Sequence, residues 1–113
     1  MKFDPIVPGK RVRGSKTGRP LVAALDLLGR RGALRILWEL RSGDAQTFRA
    51  LQSVAEISPA TLNTRLRELR AAGLVELADG YRLTKLGKKL GPALQPLAAW
   101  TELWADSLTP RSR

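Results

Sequence analysis

The 113-residue chain sets 20 Lys and Arg against 10 Asp and Glu, a formal net charge of +10, with 43% hydrophobic residues and neither cysteine nor histidine. That size and composition suit one folded domain, and the missing residue types exclude disulfides, thiol sensing, Cys or His metal sites and imidazole-dependent triads. No apolar run approaches the roughly 20 residues of a membrane span and no apolar signal core follows the N-terminus, so a cytoplasmic location without membrane association is expected.

Residues 1–19 hold Lys2, Lys10, Arg11, Arg13, Lys16 and Arg19 against Asp4 alone, which is half of the net charge. Pro5, Pro8, Gly9, Gly14 and Gly18 interrupt this stretch, and no apolar period runs through it. It therefore reads as a flexible basic arm without a packed element. Lys10, Arg11, Arg13, Lys16 and Arg19 are its candidates for contact with phosphates or a minor groove; a solvated tail is the alternative.

From Pro20 the pattern turns helical. Leu21, Ala24, Leu25 and Leu28 recur at i, i+3, i+4 and i+7, with Pro20 at the start and Gly29 past the end, and predict a helix with those four residues inward. Ala33, Ile36, Leu37 and Leu40 predict a second, with Trp38 beside the stripe and Gly43 closing the segment. Arg30, Arg31 and Arg35 lie off the apolar faces, either solvated or against phosphate.

Residues 47–73 are the most informative. Thr47 caps a short helix with Phe48, Leu51 and Val54 inward; after a break at Ala55 and Glu56, Ile57 fills the turn and Ser58 caps a second helix with Pro59 in its first position. Leu62, Leu66 and Leu69 form that helix's apolar stripe, and Gly73 supplies a left-handed cap. Two helices joined by so tight a turn let the second project from the body while the first braces it. Its outer face reads Ala60, Thr61, Asn63, Thr64, Arg67 and Ala71. Short side chains near the N-terminus permit close approach to base edges; Asn63 suits adenine, Arg67 guanine or a phosphate, and Thr61 and Thr64 a thymine methyl or a backbone oxygen. Any amphipathic surface helix also carries polar residues outward. Arg49, Ser58, Arg65 and Arg70 are the nearby candidates for phosphate contact, although Arg65 and Glu68 have the spacing of an i,i+3 ion pair.

After Gly73 the period shortens to two. Leu74 to Leu77, Asp79-Gly80 and Tyr81 to Leu83 predict a hairpin with a two-residue turn. This is a short wing in which Arg82 is the candidate phosphate or minor-groove contact and Asp79 faces phosphates unfavourably. Thr84 then caps a C-terminal helix with Lys88 and Lys89 outward, which Pro96, and Pro92 as well, are expected to kink or restart. Leu90, Leu94, Leu97, Trp100, Trp104 and Leu108 make a long apolar stripe that either packs back on the core or forms an isologous dimer surface; two aromatic anchors favour the dimer.

The segments LLGRRGALRILWELRSG, TFRAL, ISPATLNTRLRELRAAGLVE and YRLTKLGKKL, between about Leu27 and Trp100, resemble the HxlR-type winged-helix transcriptional regulators in order and spacing. The family pattern of Ile-Ser, then Leu, then Arg-Leu-Arg-Glu-Leu falls on Ile57, Ser58, Leu62, Arg65, Leu66, Arg67, Glu68 and Leu69. The resemblance implies a dimeric bacterial or archaeal DNA-binding regulator whose recognition helix is the one capped by Ser58. Three departures stand out: no cysteine precedes the first helix near Arg19 and Pro20, Ala33 replaces a common tryptophan, and Ala60 replaces a common lysine beside a trimmed wing.

The expected architecture is therefore mainly α with a short β-hairpin, a winged helix-turn-helix of five to six helices and a small wing. Its divisions are a basic arm over 1–19, a DNA-binding domain over 20–84 and a C-terminal dimerisation helix or helices over 85–113. The expected function is sequence-specific recognition of double-stranded DNA by a homodimer that regulates transcription. Binding of RNA or a protein partner is an alternative, weakened by the lack of an aromatic stacking platform; non-specific architectural DNA binding is another. The acids are scattered and no nucleophile stands beside a base, so neither an enzyme nor a cofactor is expected. No effector is identifiable from the residues.

Overall fold

The computed structural model describes residues 3, 5–9 and 19–109. Among them are helices α1 (Pro20–Leu28), α2 (Ala33–Glu39), α3 (Phe48–Ala55) and α4 (Pro59–Ala71), strands β1 (Val75–Leu77) and β2 (Tyr81–Leu83), and helix α5 (Lys85–Leu108). The architecture is a winged helix-turn-helix, mainly α.

Side-chain caps set three of the helix starts. The hydroxyls of Thr47, Ser58 and Thr84 accept from the backbone N–H of Ala50, Thr61 and Gly87 at 3.0, 3.1 and 3.0 Å, each satisfying a donor that has no partner within its helix. Gly73, at φ 80°, ends α4: its N–H donates to Arg70 O and that of Leu74 to Leu69 O, both at 3.0 Å. That bond pair is a Schellman cap, and it turns the chain straight into the wing.

The core forms where α2, α3, α4 and the hairpin meet. Ile36, Leu40, Leu51, Leu62, Leu66 and Leu69 are all but inaccessible to solvent, with Leu27, Leu37, Ala55, Val75 and Leu83 around them. The Leu62, Leu66 and Leu69 stripe was predictable from its spacing, and so was the inward set Ala33, Ile36, Leu37 and Leu40 of α2.

Five local expectations are corrected. In α1 the buried residues are Ala23 and Leu27, whereas Leu21 and Leu25 are 70% and 63% exposed. Both i,i+4 pairs fit the same helical period, and tertiary packing selects between them. In α3 the helix continues to Ala55, which is buried with Leu51, and Val54 is only half-buried. The hairpin loop has three residues, because Leu77 rather than Ala78 pairs with Tyr81; Asp79 and Gly80 both hold positive φ (53° and 118°). Gly80 is further constrained because a Cβ there would lie 3.1 Å from both Ala45 Cβ and Gln46 O, where Gln46 and Tyr81 exchange two backbone bonds of 2.8 Å.

Helix α5 is the fourth: it does not restart at Pro92 or Pro96 but continues through both over 24 residues, about 36 Å at 1.5 Å per residue. Both prolines are exposed, so water can satisfy the carbonyls they leave unpaired. Its first turn is seated tightly: a Cβ on the buried Gly87 would lie 2.1 Å from Leu74 O, and the Thr84 hydroxyl donates to Gly73 O at 2.6 Å.

The fifth concerns the N-terminal segment, in which one apolar residue is packed. Ile6 is 5% exposed and belongs to the core cluster. With Pro8 it walls an apolar groove whose other sides include Ala23, Leu27, Leu74 and Leu90. Lys10, Arg11, Arg13 and Lys16 lie outside the described residues.

Candidate nucleic-acid interface

Helix α4 presents its outer face because its inner one is fully engaged. Ala60, Asn63, Thr64, Arg67 and Arg70 are exposed, and Thr61 is half-buried. Thr61 Oγ1 accepts from the Ser58 hydroxyl at 3.0 Å, and Thr64 Oγ1 donates to Ala60 O at 3.1 Å. Both hydroxyls keep acceptor capacity for an incoming donor. Asn63 is exposed and has no hydrogen bond with the described residues. Arg67 places its guanidinium carbon over the Phe3 ring, 4.2 Å from the centroid.

Arg65 does not share this outward position. Its Nε donates to Arg31 O at 2.8 Å and its Nη1 to Glu68 Oε1 at 2.7 Å, and its side chain is 15% exposed. Glu68 is buried at 4% and also accepts from Arg30 Nη1 at 3.3 Å, while Arg30 Nη2 reaches Asp26 at 3.2 Å. One carboxylate thus ties the loop between α1 and α2 to α4. Arg30 is accordingly only partly exposed, with two carboxylates drawing its guanidinium inward. Buried charges need such pairing, and this network fixes the rotation of α4 about its own axis.

The remaining candidates are spread around the helix-turn-helix. Arg49 on α3 and Arg70 near the end of α4 are exposed and make no ion pair among the described residues. Arg82 on the wing bonds Glu76 at 2.7 Å across the strands, both side chains being about half exposed, so part of its charge is already answered. Arg19 is exposed at the N-cap of α1. The turn itself places Glu56 at φ 56°, a left-handed conformation without glycine. A Cβ on Gly32, at φ 87°, would meet Ile57 Cδ1 at 2.8 Å, so Ile57 packs from the turn against the start of α2 and the core.

The apolar stripe of α5 divides in two. Leu90 is half-buried against the core and Leu94 is half-buried, whereas Leu97, Trp100, Trp104 and Leu108 are exposed at 51%, 52%, 53% and 69%. Trp100 and Trp104 stack on each other with centroids 5.8 Å apart and rings within 8° of parallel.

Sequence reasoning missed Phe3 and the link between Arg30 and Glu68. The spacing of Arg65 and Glu68 hinted at one ion pair, but Arg30 joins it from 38 positions away, which no local pattern displays.

Comparison with known proteins assigns this arrangement. Residues 27–109 match the HxlR-like helix-turn-helix family. The chain belongs to that family. The HTH-type transcriptional regulator YvaP of Bacillus subtilis (strain 168) is 29% identical, over 74% of this chain and 84% of that protein. The crystal structure of quinone-bound YodB from B. subtilis superimposes with a TM-score of 0.62 at 31% identity, covering 78% of this chain and 97% of that one. This HxlR-type chain is therefore a DNA-binding transcriptional regulator, in a family of regulators and not of enzymes. No helix among its described residues is long and apolar enough to cross a membrane.

Proposed function

We propose that the protein binds an operator as a homodimer, with α4 of each protomer in the major groove. Asn63 and Arg67 supply the directional base contacts, Thr61 and Thr64 the adaptable ones, and Ala60 the clearance for close approach. Arg49, Arg70, the Ser58 turn and, more weakly, Arg82 contact the phosphates, joined by Arg19 and the basic residues of the arm, Lys10, Arg11, Arg13 and Lys16. Arg65 is left out of that set because its guanidinium is held inward by Glu68 and Arg31.

The observation that carries this reading is the outer face of α4: a polar, exposed surface with Asn63 and Arg67 in it, on a helix whose opposite face is locked by three buried leucines and the Glu68 network. A second surface supports dimerisation, since Leu97, Trp100, Trp104 and Leu108 are exposed and large aromatic side chains commonly anchor interfaces. An isologous pairing through α5 relates two recognition helices by a two-fold axis, which matches half-sites roughly 34 Å apart.

The test is selection of bound duplexes from a random-sequence pool at about 150 mM salt, where charge-driven binding is already weak. An enriched inverted repeat with half-sites one helical turn apart is the expected result. Uniform, salt-sensitive retention without a preferred sequence refutes it.

A further inference from the structure

Phe3 lies outside the apolar core cluster, and its ring lies under the guanidinium of Arg67. We propose that Phe3 is a positioning residue for Arg67, holding the guanidinium plane so that its edge is presented for base recognition. This rests on the reading of Arg67 given above.

Anchoring comes first. An aromatic ring on a free terminal segment would be held only weakly against chain entropy, but Ile6, three residues on, is buried in the core at 5% exposure. Three residues span at most about 10 Å, so burial of Ile6 confines Phe3 to the neighbourhood of α4. Pro5 and Pro8 flank the anchor, and each fixes its own φ and stiffens the strap.

The geometry of the stack decides what it does to Arg67. The Phe3 ring lies 4.2 Å from the Arg67 guanidinium carbon; a planar guanidinium stacks flat on an aromatic face, while guanine recognition uses the N–H donors in its plane. Arg67 has no ion pair or side-chain hydrogen bond with the described residues, so toward them those donors are open. Arginine is among the side chains that lose most rotamer freedom when fixed, and on this exposed helix face no other described residue bonds it. Phe3 therefore restricts the guanidinium before DNA arrives and leaves its reading edge open, so less freedom is lost on binding.

The experiment uses the full chain with Phe3→Leu, Phe3→Tyr, Arg67→Ala and the Phe3→Leu/Arg67→Ala double variant. Anisotropy titrations employ the duplex enriched from the random pool, its single-base-pair variants, and a scrambled duplex of equal length. Phe3→Leu keeps an apolar side chain and removes the π-face; it is expected to weaken binding to the enriched duplex by about two- to five-fold, the range of an exposed cation–π contact, and to leave the scrambled duplex unaffected. Its discrimination loss should fall on the same base pair as that of Arg67→Ala, vanish in the Arg67→Ala background, and be absent in Phe3→Tyr.

Wild-type behaviour of Phe3→Leu overturns the proposal, because a purely structural ring is replaceable by leucine. Tighter binding overturns it too, since the ring would then obstruct the helix, as does an undiminished loss in the Arg67→Ala background. If Arg67→Ala itself leaves the enriched duplex bound as before, the base-reading role of Arg67 has failed and the positioning role falls with it. That result is distinct from the other three, in which Arg67→Ala still weakens binding.

Discussion

Replacing Glu68 by alanine tests whether the buried ion network holds the recognition helix in place. Two bonds disappear. The Arg65 Nη1 bond to Oε1 is 2.7 Å long between side chains that are 15% and 6% exposed, so it ranks with charge-assisted hydrogen bonds worth about 1.5–3 kcal/mol. The Arg30 bond at 3.3 Å is longer, and Arg30 is 24% exposed and keeps Asp26; discounted for screening, its loss adds about 0.5 kcal/mol. The expected cost is about 2–3.5 kcal/mol, read as a lowered urea midpoint at unchanged m and fixed protomer concentration. Glu68→Gln retains one acceptor oxygen and the shape, so about half of that loss is expected. A Glu68→Ala cost below about 0.5 kcal/mol would refute the reasoning, because the arginines would then be solvated or paired elsewhere. Affinity for the enriched duplex should fall further than stability alone dictates, since α4 loses its tie to the loop between α1 and α2.

Other outcomes follow from the same structure. Gly87→Ala puts a methyl 2.1 Å from the Leu74 carbonyl oxygen, a backbone atom that cannot step aside locally; about 1–3 kcal/mol should be lost, visible in thermal denaturation, and a stability equal to wild type would mean α5 is not seated there. Trp100→Ala/Trp104→Ala should shift sedimentation velocity profiles toward monomer and leave the far-UV circular dichroism little changed, because both rings are half exposed in the single chain; an unaltered oligomeric state would remove α5 from the interface. Neutralising Lys10, Arg11, Arg13 and Lys16 with glutamine should weaken binding to enriched and scrambled duplexes alike and flatten the salt dependence of log K, by roughly 0.9 for each phosphate no longer neutralised. An unchanged slope excludes the arm from the DNA. Substitution is the cleaner test than truncation, since deleting the segment also removes Ile6 from the core.

Much of the architecture was legible in the residues alone because its signals are local. Capping oxygens at Thr47, Ser58 and Thr84, the glycine at 73 and the leucine spacing of α4 each act within a few positions, and the change of period at Leu74 marks the wing. The outer face of α4 followed from the same geometry: once Leu62, Leu66 and Leu69 point inward, Asn63 and Arg67 must point out.

Only the tertiary structure decided the rest. Period alone could not choose between Leu21/Leu25 and Ala23/Leu27 in α1, because both pairs fit a helix and the choice depends on what packs alongside. The exposure of Pro92 and Pro96 lets α5 run on where proline ordinarily interrupts a helix. Arg65 and Arg67 are two positions apart and chemically identical, yet one is drawn inward by Glu68 and the other stands outward against Phe3. Their difference rests on partners brought together by packing, and an arrangement of that kind exists only after the chain has folded.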